Sequence, residues 1–278
     1  MDLSDTWVLK LIKESGSIDY GKARAFGSGS YAVTSLLYGA ALTAFGYDIA
    51  PYCIFALLAV LLAVSMYMPN PQSQLPQDGK KKGSLSLLRN PGFLVFVVFG
   101  TVAGNTLSML DNFIPVLITE KGGSAFHIGF SSFLMAGIEF FLLRVFTPVA
   151  DKVGTHRIFA FGIFGFAVKA LLVSLMPTPA MIIAACVTQT LSFCIYSPGR
   201  MRVLQEEVDQ ENLAGAFTIT SIYSSLCSSF IMNPVSGYLS ETIGTAAMMR
   251  CFAAVCVLAS IGYAVARRSI SAAEKAKN

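Results

Sequence analysis

Eight stretches of about 20 mostly apolar residues dominate this sequence, and a run of that length matches the hydrocarbon thickness of a bilayer. They cover 28–46, 50–68, 92–118, 127–150, 157–176, 179–198, 213–239 and 244–266. Their hydrophobicity is continuous rather than alternating, which selects spanning helices over the strands of a lipid-embedded barrel. Composition agrees: 54% of the 278 residues are hydrophobic and 13% are charged, against roughly 25% charged in an average soluble domain. The expected fold class is an all-α integral membrane protein with about eight transmembrane helices.

Positive charge sets the expected orientation. Lys10, Lys13, Lys22, Arg24, Lys80, Lys81, Lys82, Arg89, Lys152, Arg157, Arg200, Arg202, Arg267, Arg268, Lys275 and Lys277 all fall on one side, which is 16 of the 20 basic residues. The positive-inside bias makes that side cytoplasmic, with both termini on it, in a multi-pass protein of the cell's inner membrane. The net charge of +4 then reflects topology and contact with anionic lipid, and no nucleic-acid partner is expected. The first 27 residues hold no apolar core of signal-peptide type. All six cysteines (Cys53, Cys186, Cys194, Cys227, Cys251 and Cys256) sit in the apolar runs without Cys-x-x-Cys spacing, as small packing residues do. The sequence lacks a phosphate loop, a His-Glu-x-x-His motif and a Gly-x-Ser-x-Gly elbow. An enzyme, a metal site and a cofactor are therefore not expected.

The segment 69–90 is rich in proline and polar residues and carries the Lys80–Lys82 triplet. It reads as a linker between 1–68, with two spans, and 91–278, with six spans and a short tail. The stretch from Gly39 to Gly46 and that from Gly237 to Gly244 share a Gly-x6-Gly pattern at one common offset, which also maps Cys53 onto Cys251. The first two spans then correspond to the last two of a six-helix unit.

Two loops resemble the major facilitator superfamily. The stretch ADKVGTHR from Ala150 to Arg157 is similar to its short basic cytoplasmic loop, in which a glycine turn joins two helices and an acid and bases lock the inward face. That resemblance makes Asp151, Lys152, Gly154 and Arg157 gating or loop residues. The stretch NPVSGYLSETIG from Asn233 to Gly244 looks like the ending of the penultimate helix. The stretch DYGKARAFGS from Asp19 to Ser28, which holds Arg24, resembles the approach to the fifth helix in the lactose-permease-like and phenylpropionate-permease-like proton symporters. Gly29 and Ser30 then reverse that branch's usual order. The resemblance covers essentially the whole chain as helices five to twelve of twelve, so the chain looks like a shortened member lacking the first four.

Ionisable side chains in a span are expensive and tend to face a bundle interior or a watery cavity. Glu139 stands as far before Asp151 as Lys169 stands after Arg157, about 18 Å along each helix, which places both near mid-membrane. Read from the residues alone they are either a self-neutralising structural pair or a substrate and proton site. In lactose-permease-like proteins an acid on the eighth helix and an arginine on the ninth serve sugar binding and proton coupling. The resemblance puts Glu139 and Lys169 at those places, and lysine lacks the planar grip of arginine. Arg144 lies about 140° around the helix from Glu139, and either snorkels toward the cytoplasmic loop or faces the cavity. Asp111 lies near the external end with Arg250, as a gate pair or as two solvated charges. Asn112 matches a family position that faces the cavity. Gln189 stands about where the family carries a histidine on its tenth helix, so coupling through a histidine there is excluded. Thr218, Thr220, Ser221, Ser224, Ser225, Ser228 and Ser229 on the seventh span either pack helices closely or line a polar pathway.

The leading expectation is a secondary transporter, proton-coupled, moving a small polar or anionic metabolite such as a sugar or organic acid by alternating access. Its partners are then a small-molecule substrate, protons and membrane lipids. A second expectation is a shortened, transport-inactive membrane protein or an interaction partner of another chain, and a third is drug efflux within the same superfamily.

Overall fold

Nine α-helices account for nearly all of the computed structural model, which describes residues 20–67, 84–209 and 212–277. They are α1 (Tyr20–Phe45), α2 (Ala50–Tyr67), α3 (Pro91–Glu120), α4 (Ala125–Val153), α5 (Thr155–Leu175), α6 (Pro179–Glu207), α7 (Leu213–Cys227), α8 (Asn233–Ile243) and α9 (Thr245–Lys277). A π-helical turn, Ser228–Met232, joins α7 to α8 immediately before Pro234. All eight predicted spans are helical. Among the described residues, Tyr47–Tyr67, Pro91–Glu120, Thr155–Leu175, Pro179–Glu207, Gly215–Ile243 and Thr245–Ala273 are long and apolar enough to cross a membrane. The helices α1 and α4 carry charges along their length: α1 opens on Lys22 and Arg24, and α4 holds Glu139 and Arg144.

Local chemistry sets the helix ends. Asn90 caps α3 by accepting hydrogen bonds from Gly92 N at 2.9 Å and Phe93 N at 3.3 Å, with Pro91 in the first turn, where its missing N–H costs nothing. Thr178 caps α6 ahead of Pro179. The turns of the internal repeat end on Gly46 and Gly244, with φ of +83° and +85°, a region that a Cβ disfavours. Gly154 joins α4 to α5 with φ of +90°.

The chain divides into two units, Met1–Gly79 with Gly123–Phe140, and Lys80–Gly122 with Phe141–Asn278. In the first, α1 meets the opening turns of α4 at two glycines. A Cβ on Gly39 would lie 2.6 Å from Ala125 O, and one on Gly129 would lie 2.4 Å from Ser35 O, so only glycine permits this approach. Phe126 N donates to Thr43 Oγ1 at 2.8 Å across the same crossing. The helix α2 has no buried residue and presents Phe55, Leu57, Leu61 and Tyr67 outward, as suits a lipid-facing helix.

The second unit is organised around Phe159. Its ring packs on Tyr263 at 4.9 Å, Tyr196 at 5.3 Å and Phe96 at 5.4 Å, which draws together α9, α6 and α3 around α5. The Tyr196 hydroxyl, buried among these rings, donates to Gly100 O at 3.0 Å, meeting the demand of a polar group removed from water. The helices α5 and α6 come close enough that a Cβ on Gly162 would lie 2.6 Å from Tyr196 Cα. Cys186, Cys194 and Cys256 are buried, and none of the six cysteines forms a disulfide among the described residues.

Candidate functional site

Lys169 is a wholly buried cation inside a span. Its side chain has no exposure, and Nζ lies 3.4 Å from Asp111 Oδ1 on α3, a carboxylate whose side chain is 46% exposed. That distance is long for a charge-assisted hydrogen bond, which is about 2.8 Å. An ammonium has three donors, so among the described residues this one long contact leaves hydrogen-bonding capacity at Nζ. Cys186, buried on α6, adds a thiol to the surroundings of Lys169. The arrangement is a cation held away from water beside an acid that still meets its surroundings. It can exchange partners.

The structure thus brings Lys169 together with Asp111, a residue that depth along the helix had grouped with Arg250. Arg250 Nε instead donates to Ala246 O on its own helix at 3.3 Å. Asn112, next to Asp111, is exposed on α3. Glu139 belongs to the first unit and is half-buried there. Gly154 and Arg157 are exposed at the α4–α5 turn. The side chains of Arg24, Arg144, Asp151, Lys152 and Gln189 lie outside the described ones, although their backbone is helical, and the Lys80–Lys82 triplet lies outside the described residues. Among the described residues no three His, Cys, Asp or Glu side chains gather in a way that could hold a metal ion.

A second constellation, absent from the sequence reading, closes the end of the second unit where α3 and α5 begin and α6 finishes. Arg267 Nη1 of α9 lies 2.8 Å from Glu207 Oε1 at the end of α6. His156 Nε2 approaches Glu206 at 3.3 Å and Glu207 at 3.7 Å, while its Nδ1 shares a 2.7 Å hydrogen bond with the Tyr263 hydroxyl. Thr155 Oγ1 donates to Glu206 at 2.5 Å, and Asn90 Nδ2 donates to the Glu207 carbonyl at 2.8 Å. The starts of α3 and α5 and the body of α9 therefore converge on the end of α6 and its two adjacent acids. The sequence signal was the pair Glu206–Glu207 closing a long apolar helix whose other charged residues are arginines. An acid pair at that level needs basic or donor partners.

The opposite end is tied by smaller groups. Thr245 Oγ1 donates to Glu120 Oε1 at 2.6 Å and shares a 2.8 Å bond with Ser240 Oγ, linking α3 to the α8–α9 turn. Along α7, Thr220 returns its hydroxyl to Ala216 O, whereas Thr218, Ser221, Ser225 and Ser229 form an exposed hydroxyl stripe leading into the π-helical turn.

A curated relative is the multidrug resistance protein MdtH of Blochmanniella floridana, 27% identical over 150 residues, which cover 52% of this chain and 36% of that protein. The chain thus spans about a third of the length of this relative. The model of the MFS_1 like family matches residues 1–197. With six helices among the described residues long and apolar enough to cross a membrane, a charged pair between two of them and that match over more than half its length, the chain is an all-α membrane protein with the major facilitator fold, and it belongs to the MFS_1-like family.

Proposed function

We propose that this chain works as a secondary active transporter, coupling proton movement to the passage of a small polar or anionic metabolite such as a sugar or organic acid. The observation that carries this reading is the fully buried Lys169 with its long contact to the half-exposed Asp111. A charge is retained at such depth where it serves a pathway. Protonation of Asp111 removes the counter-charge of Lys169 and frees its ammonium for an acidic or acceptor group of the substrate. Loss of that proton restores the pair and expels the group. Glu139 is a second candidate proton carrier, and Asn112 and Gln189 supply uncharged polar contacts. Asp151, Lys152, Gly154, Arg157, Arg144 and Arg24 serve the cytoplasmic gate. Alternating access in such folds rocks helical bundles about a fixed site.

The test is uptake of radiolabelled acetate, lactate and glucose into vesicles carrying the purified chain, with and without an imposed proton gradient. Accumulation that needs the gradient and disappears in Asp111→Asn and Lys169→Ala supports coupling through the pair. Accumulation indifferent to the gradient removes it. Efflux of lipophilic drugs is a second reading, favoured by the name of the multidrug relative. Export of a fluorescent cation from the same vesicles separates the two.

A further inference from the structure

Among the described residues, two buried polar atoms on α3 have no hydrogen-bond partner. Thr101 and Asn105 are 2% and 3% exposed, and neither Thr101 Oγ1 nor Asn105 Nδ2 makes a hydrogen bond. Hydroxyls elsewhere on the spans behave differently. Thr106, Thr220 and Ser236 each donate to the carbonyl one turn earlier, at 2.9, 2.8 and 2.6 Å. Thr101 has the same option and leaves it unused. Leaving a buried donor unmade costs about 1–3 kcal/mol, and in a span no bulk water offsets that cost. Apolar side chains of the same size would avoid the penalty, so these two groups mark a place where something else completes the bonding.

Their spacing makes them one site. Thr101 and Asn105 are one turn apart on one helix face, and Ser108 and Asn112 continue that face toward the end of α3, both exposed. The line is about 16 Å long and runs from open to buried. Asp111 lies about 100° away from Asn112 around the same helix, so this face is distinct from the one that meets Lys169. What is missing at the buried end is an acceptor: Asn105 Nδ2 carries two N–H donors and the Thr101 hydroxyl a third.

We propose that Thr101 and Asn105 form a binding site for an acceptor oxygen, supplied either by an ordered water or by a hydroxyl or carboxylate of a solute that enters along Ser108 and Asn112. The site stands apart from the Lys169–Asp111 reading and does not depend on it.

The experiment compares the wild type with Thr101→Val and Asn105→Leu, both close in size to the native residues. One measurement is the unfolding midpoint of the full chain, purified in detergent with no added solute. The other is uptake of labelled acetate, lactate and glucose into vesicles. Should the Asn105 variant not fold, the isosteric Thr101→Val decides alone. A midpoint lowered by several degrees identifies ordered water, because bonds already made are lost. A midpoint unchanged or raised, together with a KM for a transported probe raised about fivefold or more at unchanged kcat, identifies a solute oxygen. A midpoint unchanged or raised with KM unmoved, or with no probe transported, overturns the proposal, since the pair is then an empty and unfavourable feature of the packing.

Discussion

Arg267 Nη1 lies 2.8 Å from Glu207 Oε1, and this pair ties the last helix to the end of α6. Both side chains are largely withdrawn from solvent, at 23% and 9% exposure, so removing one leaves the other short of its counter-charge. Arg267→Ala is expected to cost about 3 kcal/mol, or about 6–12 °C in unfolding midpoint for a chain of this size. Glu207→Gln should cost less, because the amide of glutamine still offers Arg267 an acceptor oxygen in nearly the same place. Equal losses in the two variants would show that the amide oxygen does not replace the carboxylate.

Gly92 tests the same end from the other side. A Cβ there would lie 1.9 Å from Glu207 Oε2, so Gly92→Ala must displace a carboxylate that Arg267 holds. The expected cost is about 1–3 kcal/mol. In a Glu207→Ala background the obstacle is gone and the same substitution should be nearly neutral, which a double-mutant cycle on unfolding midpoints reads directly.

The two halves of the Lys169–Asp111 pair should not be equivalent. Asp111→Asn strips the buried ammonium of its counter-charge and is expected to destabilise the chain by about 1–3 kcal/mol. Lys169→Met leaves a carboxylate that already meets its surroundings, so it should be neutral or stabilising, and the double variant should be at least as stable as the wild type. A Lys169→Met chain that unfolds well below Asp111→Asn would contradict this order.

Helix approach gives a sharper contrast. At Gly162 the added Cβ would meet Tyr196 backbone at 2.6 Å, whereas at Gly137 nothing lies within 4 Å. Gly162→Ala must push α5 from α6 and is expected to abolish the folded, detergent-stable chain or cost at least about 3 kcal/mol. Gly137→Ala should match or exceed the wild type, since alanine favours the helix by about 1 kcal/mol. Size-exclusion profiles of the two variants check both.

Much of this protein was legible in one dimension. A span must supply about 20 apolar residues whatever its neighbours are, so all eight predicted spans came out as helices. The glycines of the internal repeat, Gly46 and Gly244, were visible because a left-handed turn excludes other residues, and both carry the positive φ that such a turn requires. Lys169 stood out for the same kind of reason, since a charge in an apolar run is costly in any fold.

Tertiary structure alone decided which groups meet. Depth along a helix is one coordinate; pairing also needs the direction in which each residue faces and the reach of its side chain. Lys169 lies deeper than Asp111 by rise along the helices, yet its long side chain closes the gap to 3.4 Å. Glu206, Glu207, His156, Tyr263 and Arg267 come from three helices, α5, α6 and α9, and only packing around Phe159 brings them into one network. The sequence determined what the membrane demands of each helix, because that demand is local. The partners of its charges were set by helix rotation and crossing, which depend on every neighbour at once.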